Sequence, residues 1–234
     1  MLEVLKALFG SGQSQSFLVA QATNQFLEML DLGQSLLEKA QPHLLDKNAD
    51  DSLLKEARDV DKSANKLVRA VRKILINHLA FNKQDASICL ILMSVVKDAE
   101  RLVDECRSLL QLATLIEDPV PEEYRKAISE NCAAVIEVLV STRAAYAEND
   151  EAKALNLVET EKPFIESMKP MRDKILDDTG LNSRQAVVTS RAFHIIQRIR
   201  AHLGNIASTV VFPVHQIDFT KQKFVNAAKQ RLSR

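Results

Sequence analysis

Residues 86–113 read ASICLILMSVVKDAERLVDECRSLLQLA, and the spacing of their apolar positions decides the fold class. Ile88, Leu92, Val95, Ala99, Leu102, Cys106, Leu109 and Ala113 recur at alternating steps of four and three. That period returns to one side of an α-helix every two turns, so it predicts a long helix with a continuous packing seam. Working outward, similar patterns predict helices over 14–41, 49–82, 85–115, 122–148, 151–178 and 183–210, with a helical tail from about 217. Residues 1–12 read as a short docking helix, being apolar but lacking a leader-like cleavage pattern.

The punctuation between these segments has its own chemistry. Asp85 is expected to cap the helix that follows it, and Gly180 to supply a left-handed stop after the fifth. Asp118-Pro119-Val120-Pro121 cannot continue a helix and divides the chain nearly in half, as a hinge between two units would. Pro163 and Pro170 fall inside the fifth pattern, where each removes a backbone donor and should kink or interrupt it.

Composition supports long helices. The chain has 234 residues, 46% apolar and only 5% aromatic, with five Gly, six Pro and no Trp, which suits packing by Leu, Ile, Val and Ala. Thirty-one basic and thirty-one acidic residues cancel, so net charge gives no argument for nucleic acid. No run approaches the roughly 18–20 apolar residues of a membrane span. Cys89, Cys106 and Cys132 form an odd set without CxxC spacing, which reads as buried thiols in a reducing compartment.

The halves look related. A shift of 97 positions lays Glu100-Arg101-Leu102 over Gln197-Arg198-Ile199, Cys106 over Leu203 and Leu109 over Ile206, and a shift of 100 lays Asp61 over Glu161. A duplicated three-helix unit accounts for both. The expected architecture is therefore all-α: two tandem three-helix bundles, over 1–118 and 119–234, with six long antiparallel helices and short terminal extensions.

No GxSxG, P-loop, GxGxxG or HExxH occurs, and the five histidines make no i, i+4 pair. Carboxylates are the better candidates. Glu100 and Asp104 lie one turn apart on one helix face, and Asp61 with Asn65 gives a second oxygen-bearing pair on the preceding helix. Such donors can chelate a cation. They can equally be a solvated face paired with Lys97, Arg101 or Arg107, and spacing leaves both readings open.

Val96-Lys97-Asp98-Ala99-Glu100-Arg101-Leu102-Val103-Asp104-Glu105-Cys106 resembles the third-helix signature of the PhoU family. Arg198-Ile199-Arg200-Ala201-His202-Leu203-Gly204-Asn205-Ile206-Ala207 looks like its counterpart in a second repeat, and Asp61-Lys62-Ser63-Ala64-Asn65-Lys66-Leu67 is similar to the family's second helix. The resemblance implies two three-helix bundles and a cytoplasmic regulator of phosphate uptake, associated peripherally with membrane proteins. Its implied partners are a phosphate transporter, a sensor histidine kinase, or both. It also implies iron or another divalent transition metal held by paired acidic motifs. Carried over residue by residue, the first unit matches at Glu100, Asp104 and Asp61, with Asn65 in place of an acid. The second matches only at Glu161, because Ile165, Gln197 and Ala201 replace the others. One depleted metal site is the expectation.

Charge is unevenly distributed. Residues 181–234 hold nine Lys or Arg against the single acid Asp218, and residues 1–180 carry the opposite excess of eight. Arg184, Arg191 and Arg198 are seven apart, and with Arg200 they form a candidate stripe for docking an acidic partner or an anion. The bland alternative is that they pair with the chain's own acids. The functional readings are then a docking regulator tuned by metal, or a metal-free helical adaptor that accompanies an ion-coupled phosphate transporter. A carboxylate–metal enzyme is the third, and it lacks the Glu-x-x-His pair such centres use. Long amphipathic helices of opposite charge favour self-association, as a dimer.

Overall fold

The computed structural model describes residues 17–45, 51–218 and 221–233. The docking helix expected over 1–12 lies outside them. Nine α-helices occur among the described residues: α1 (Phe17–Ala40), α2 (Asp51–Leu79), α3 (Ala86–Gln111), α4 (Glu122–Glu148), α5 (Glu151–Glu159), α6 (Glu161–Ser167), α7 (Lys169–Asp177), α8 (Ser183–Val211) and α9 (Gln222–Leu232). The all-α expectation holds. None of these helices is long and apolar enough to cross a membrane.

The prolines act as expected. The fifth pattern is broken into α5, α6 and α7, with the interruptions at Thr160 and Met168. Pro163 and Pro170 each sit in the first turn after a break, where the missing N–H costs nothing and the ring no longer meets a carbonyl of the turn before. Two other stops differ from expectation. Asp85 makes no capping bond; its Oδ2 lies 2.6 Å from Nε2 of the buried His78 instead. Gly180 does not take the left-handed conformation, and its N–H donates to Asp178 Oδ1 at 2.8 Å. The left-handed cap falls on Asn149, which ends α4 at φ 53°.

Helices α1, α2 and α3 pack pairwise, and α8 packs on α4 and α5. The groups are joined by α3 against α8 and α1 against α4, and one apolar cluster runs through both. The seam read from sequence is the core of this join: Leu92, Val95, Ala99, Leu102 and Cys106 are fully buried, as are Ile199, Leu203 and Ile206. Gly33 permits the close crossing of α1 over α3, since a Cβ there would stand 2.1 Å from Leu102 Cδ2. The 116–121 connection is tied down: Pro119 O accepts from Gln185 at 2.7 Å, Asp118 accepts from Asn182 at 3.0 Å, and Val120 is buried. All three cysteines are free and buried. Burial pushes the Cys89 thiol up to about 11 and that of Cys132 to about 12, so both stay protonated and unreactive at neutral pH.

Polar groups also cross the α3–α8 seam. Asp98 Oδ1 lies 2.8 Å from His202 Nδ1 and accepts from Asn205 Nδ2 at 3.0 Å, while Arg198 Nε lies 2.5 Å from the mostly buried Glu105. Replacing Asp98 by Ala leaves two largely enclosed groups without their partner. Denaturant unfolding of Asp98→Ala should show a loss of roughly 2 kcal/mol, whereas an unchanged midpoint would mean the seam is held by apolar contact alone.

Candidate functional site

The first acidic cluster assembles where sequence places it, on neighbouring turns of α2 and α3. Burial raises the Asp61 carboxyl above its ordinary range; Arg107 opposes this, and the charges of Asp104 and Glu100 reinforce it. The three carboxylates therefore feel one another. Each also has a cation on it. Lys97 is paired with Glu100, and Arg107 is paired with Asp104 while its Nε lies 3.9 Å from Asp61 Oδ2. Asn65 is turned back along its own helix, donating to the Asp61 carbonyl at 3.0 Å.

A metal centre needs several uncommitted donors converging on one point. Among the described residues, no three His, Cys, Asp or Glu side chains do so. Glu100, Asp104, Asp61 and Asn65 are brought near one another, but the three carboxylates are committed to Lys97 and Arg107. The donor set does not fit a multinuclear metal.

The second half reaches a similar end by burying arginine. Arg172 donates to Gln197 Oε1 at 2.8 Å, and Gln197 donates on to the Ile165 carbonyl at 3.4 Å. Arg200, expected on the docking stripe, is fully buried. Two residues on from Arg198 is about 200° around a helix, which turns it from solvent to core. Its Nη2 donates to the carbonyl of Leu157 at 2.5 Å and to Thr160 Oγ1 at 3.2 Å, both at the first break in the helix. Its other two nitrogens, and Oε2 of Glu161, are buried without hydrogen-bond partners. Burial raises the Glu161 carboxyl, and the Arg200 charge only partly offsets this. Gly204 makes the space, because a Cβ there would lie 2.0 Å from Glu161 Oε2.

The remaining arginines divide. Arg184 pairs with Glu117 at 2.8 Å and Arg198 with Glu105, so two of the stripe's three outer members serve the chain's own acids. Arg191 makes no ion pair among the described residues. It lines a groove of about 840 Å³ between α3, α7 and α8, beside the exposed apolar Leu176 and Val187. The tail follows the same rule: Lys229 pairs with Glu159 at 2.5 Å, and Arg231 pairs with Glu151.

Counting charge by segment missed a cluster of cations on α2. Lys62, Lys66, Arg69, Arg72 and, from α3, Lys97 line a second groove of about 540 Å³ with Asn65 and Val68. The signal was in the sequence, since residues 62–84 hold six Lys or Arg and no acid.

Glu161 gives a direct test of the buried arginine arrangement. A carboxyl held above its unfolded value favours the fold when protonated, so its contribution is present at low pH and is lost as pH rises through the folded value. Glu161→Gln should therefore unfold at a higher temperature than the parent near pH 7, with the difference closing near about pH 4. A difference that does not change with pH would show that Glu161 is not the group responsible.

No protein-family model matches the chain, and a search of curated proteins finds no match. Solved structures do match. PhoU from Pseudomonas aeruginosa superposes with a TM-score of 0.72 at 19% identity, over 83% of this chain and 95% of that one. The phosphate transport system regulatory protein PhoU from Streptococcus pneumoniae gives 0.72 at 15% identity, over 87% and 96%. The superposition runs over nearly the full length of both neighbours: the chain has the PhoU fold.

Proposed function

We propose that this protein is a PhoU-like accessory regulator of phosphate transport that works by docking and needs no bound metal. The match along almost the whole of two PhoU structures, one of them a phosphate transport system regulatory protein, carries the transport half of this reading. The cations on its acidic cluster carry the other half. Lys97 and Arg107 supply within the chain the positive charge that would otherwise come from an ion, so the α2–α3 face is held without one. Nothing in this scheme requires a bond to be made or broken. The protein acts in the cytoplasm, and its partner is a phosphate transporter or the sensor kinase that follows it.

The groove beside Arg191 is the protein-docking face in this reading. It sets a cation that has no ion pair among the described residues next to Leu176 and Val187, which are 83% and 63% exposed. An apolar centre with one charged anchor is the composition of an interaction site.

Two measurements test the proposal. Deleting the gene should alter phosphate uptake or phosphate-responsive transcription, and Arg191→Glu with Val187→Asp should reproduce that phenotype while leaving the fold intact. A deletion without effect on either readout rules out the transport reading. Protein purified from iron-replete cells should carry substoichiometric transition metal, unchanged in Glu100→Ala, Asp104→Ala. Stoichiometric metal that is lost in that double variant would restore the metal-tuned alternative.

A further inference from the structure

Helix α2 carries a face that the docking groove and the acidic cluster leave unused. Lys62, Lys66, Arg69, Arg72, Lys73 and Ile76 fall within roughly 120° of one side of the helix, over about 21 Å of its length. Lys62 is paired with Asp59 at 3.0 Å and Lys97 with Glu100. Lys66, Arg69, Arg72 and Lys73 form no ion pair or hydrogen bond among the described residues. The row ends at the α2–α3 turn on three large apolar side chains that stand in solvent: Ile76 is 62% exposed, Phe81 88% and Leu90 54%.

The chemistry of an occupant follows from this shape. The groove between α2 and α3 is open along its length, and its cations are spread over several turns instead of converging on one point, so it does not enclose a small anion. A net charge of zero also rules out general attraction to anionic surfaces, so any such binding has to be local. A row of Lys and Arg continued by exposed Ile, Phe and Leu is the composition of an element that lies on an anionic bilayer, with cations over the headgroups and apolar side chains entering the interface. An acidic polypeptide without apolar side chains would satisfy the cations but leave Ile76, Phe81 and Leu90 in water.

We infer that the α2–α3 hairpin lies flat on an anionic membrane surface through Lys66, Arg69, Arg72 and Lys73, with Ile76, Phe81 and Leu90 inserted at the interface. Such contact holds the protein at the bilayer independently of any transporter. The inference does not require the phosphate-transport reading, and vesicles without protein test it separately.

The full-length chain is sedimented with vesicles of phosphatidylglycerol mixed with phosphatidylcholine, and with phosphatidylcholine alone. Binding should require phosphatidylglycerol and weaken with salt. Lys66→Gln, Arg69→Gln, Arg72→Gln should lose about a hundredfold in affinity, at roughly one headgroup-facing charge each. Phe81→Asp should weaken binding with all cations kept. The control Lys126→Gln, Lys162→Gln, Lys169→Gln, with the same loss of charge on the other half of the chain, should bind as the parent does. Failure to bind phosphatidylglycerol vesicles, an equal loss in the control, or indifference to Phe81→Asp each overturns the inference. Retention by polyglutamate in place of vesicles would assign the face to an acidic protein partner and overturn it as well.

Discussion

The packing of α3 on α8 is the contact on which the rest of the molecule depends. Each is the most buried helix of its own three-helix group, and their seam residues Ala99, Leu102, Cys106, Ile199 and Leu203 have no exposed surface. Both groups therefore complete their cores against the same pair of helices. Because the seam is apolar and non-directional, its register needs something more specific. Asp98, held between His202 and Asn205, and Glu105, paired with Arg198, supply it: a slip of one turn would separate both sets. The same contact fixes where the functional faces point, since the Arg191 groove and the α2–α3 hairpin both hang from it.

That constraint explains how the acidic cluster could change without loss of the fold. Glu100 is itself buried, but the half-exposed Lys97 one turn earlier on the same helix reaches it, so its partner is a lysine of the same chain. The second half shows the limit of such exchange. Arg200 enters where the helix break frees the Leu157 carbonyl, and it leaves two nitrogens without acceptors. A buried guanidinium with one satisfied arm costs stability. Glu161 nearby offsets part of that cost but is itself favoured in the neutral form. This site is tolerated because the surrounding core is continuous through both halves, not because the polar pair stabilises it.

Much of the architecture was legible in the sequence because it rests on periodicity. The alternating steps from Ile88 to Ala113 located the central helix, and Pro163 and Pro170 located the breaks, since a missing N–H acts wherever it falls. Local polar roles were less legible. Asp85 has the residue type of an N-cap, but a buried histidine one helix earlier claims its carboxylate. Asn182 and Gln185 form the complete capping box that starts α8, a pattern with Gln three residues after Asn that sequence carried openly. The structure brings Asp61, Glu100 and Asp104 near one another. Spacing also offered their cations, since Lys97–Glu100 and Asp104–Arg107 are both i, i+3 pairs, but it left that pairing and metal chelation equally open.

Charge gives the sharper lesson. The excess of eight positive charges over residues 181–234 suggested a basic surface, yet Arg184, Arg198, Lys229 and Arg231 all meet acids of earlier segments, and Arg200 is inside. Opposite excesses in two parts of one chain are what a folded interface consumes, so the count measures how the parts attract each other and not what they show to solvent. The exposed field comes from cations whose surroundings lack carboxylates at the right helical offset. On α2 the acids stop at Asp61, and from Lys66 onward no acidic side chain lies three or four residues away to neutralise the row. A short stretch without acids thus predicts surface potential better than the net charge of a domain, because pairing along and between helices acts over a few ångströms while the count ignores distance.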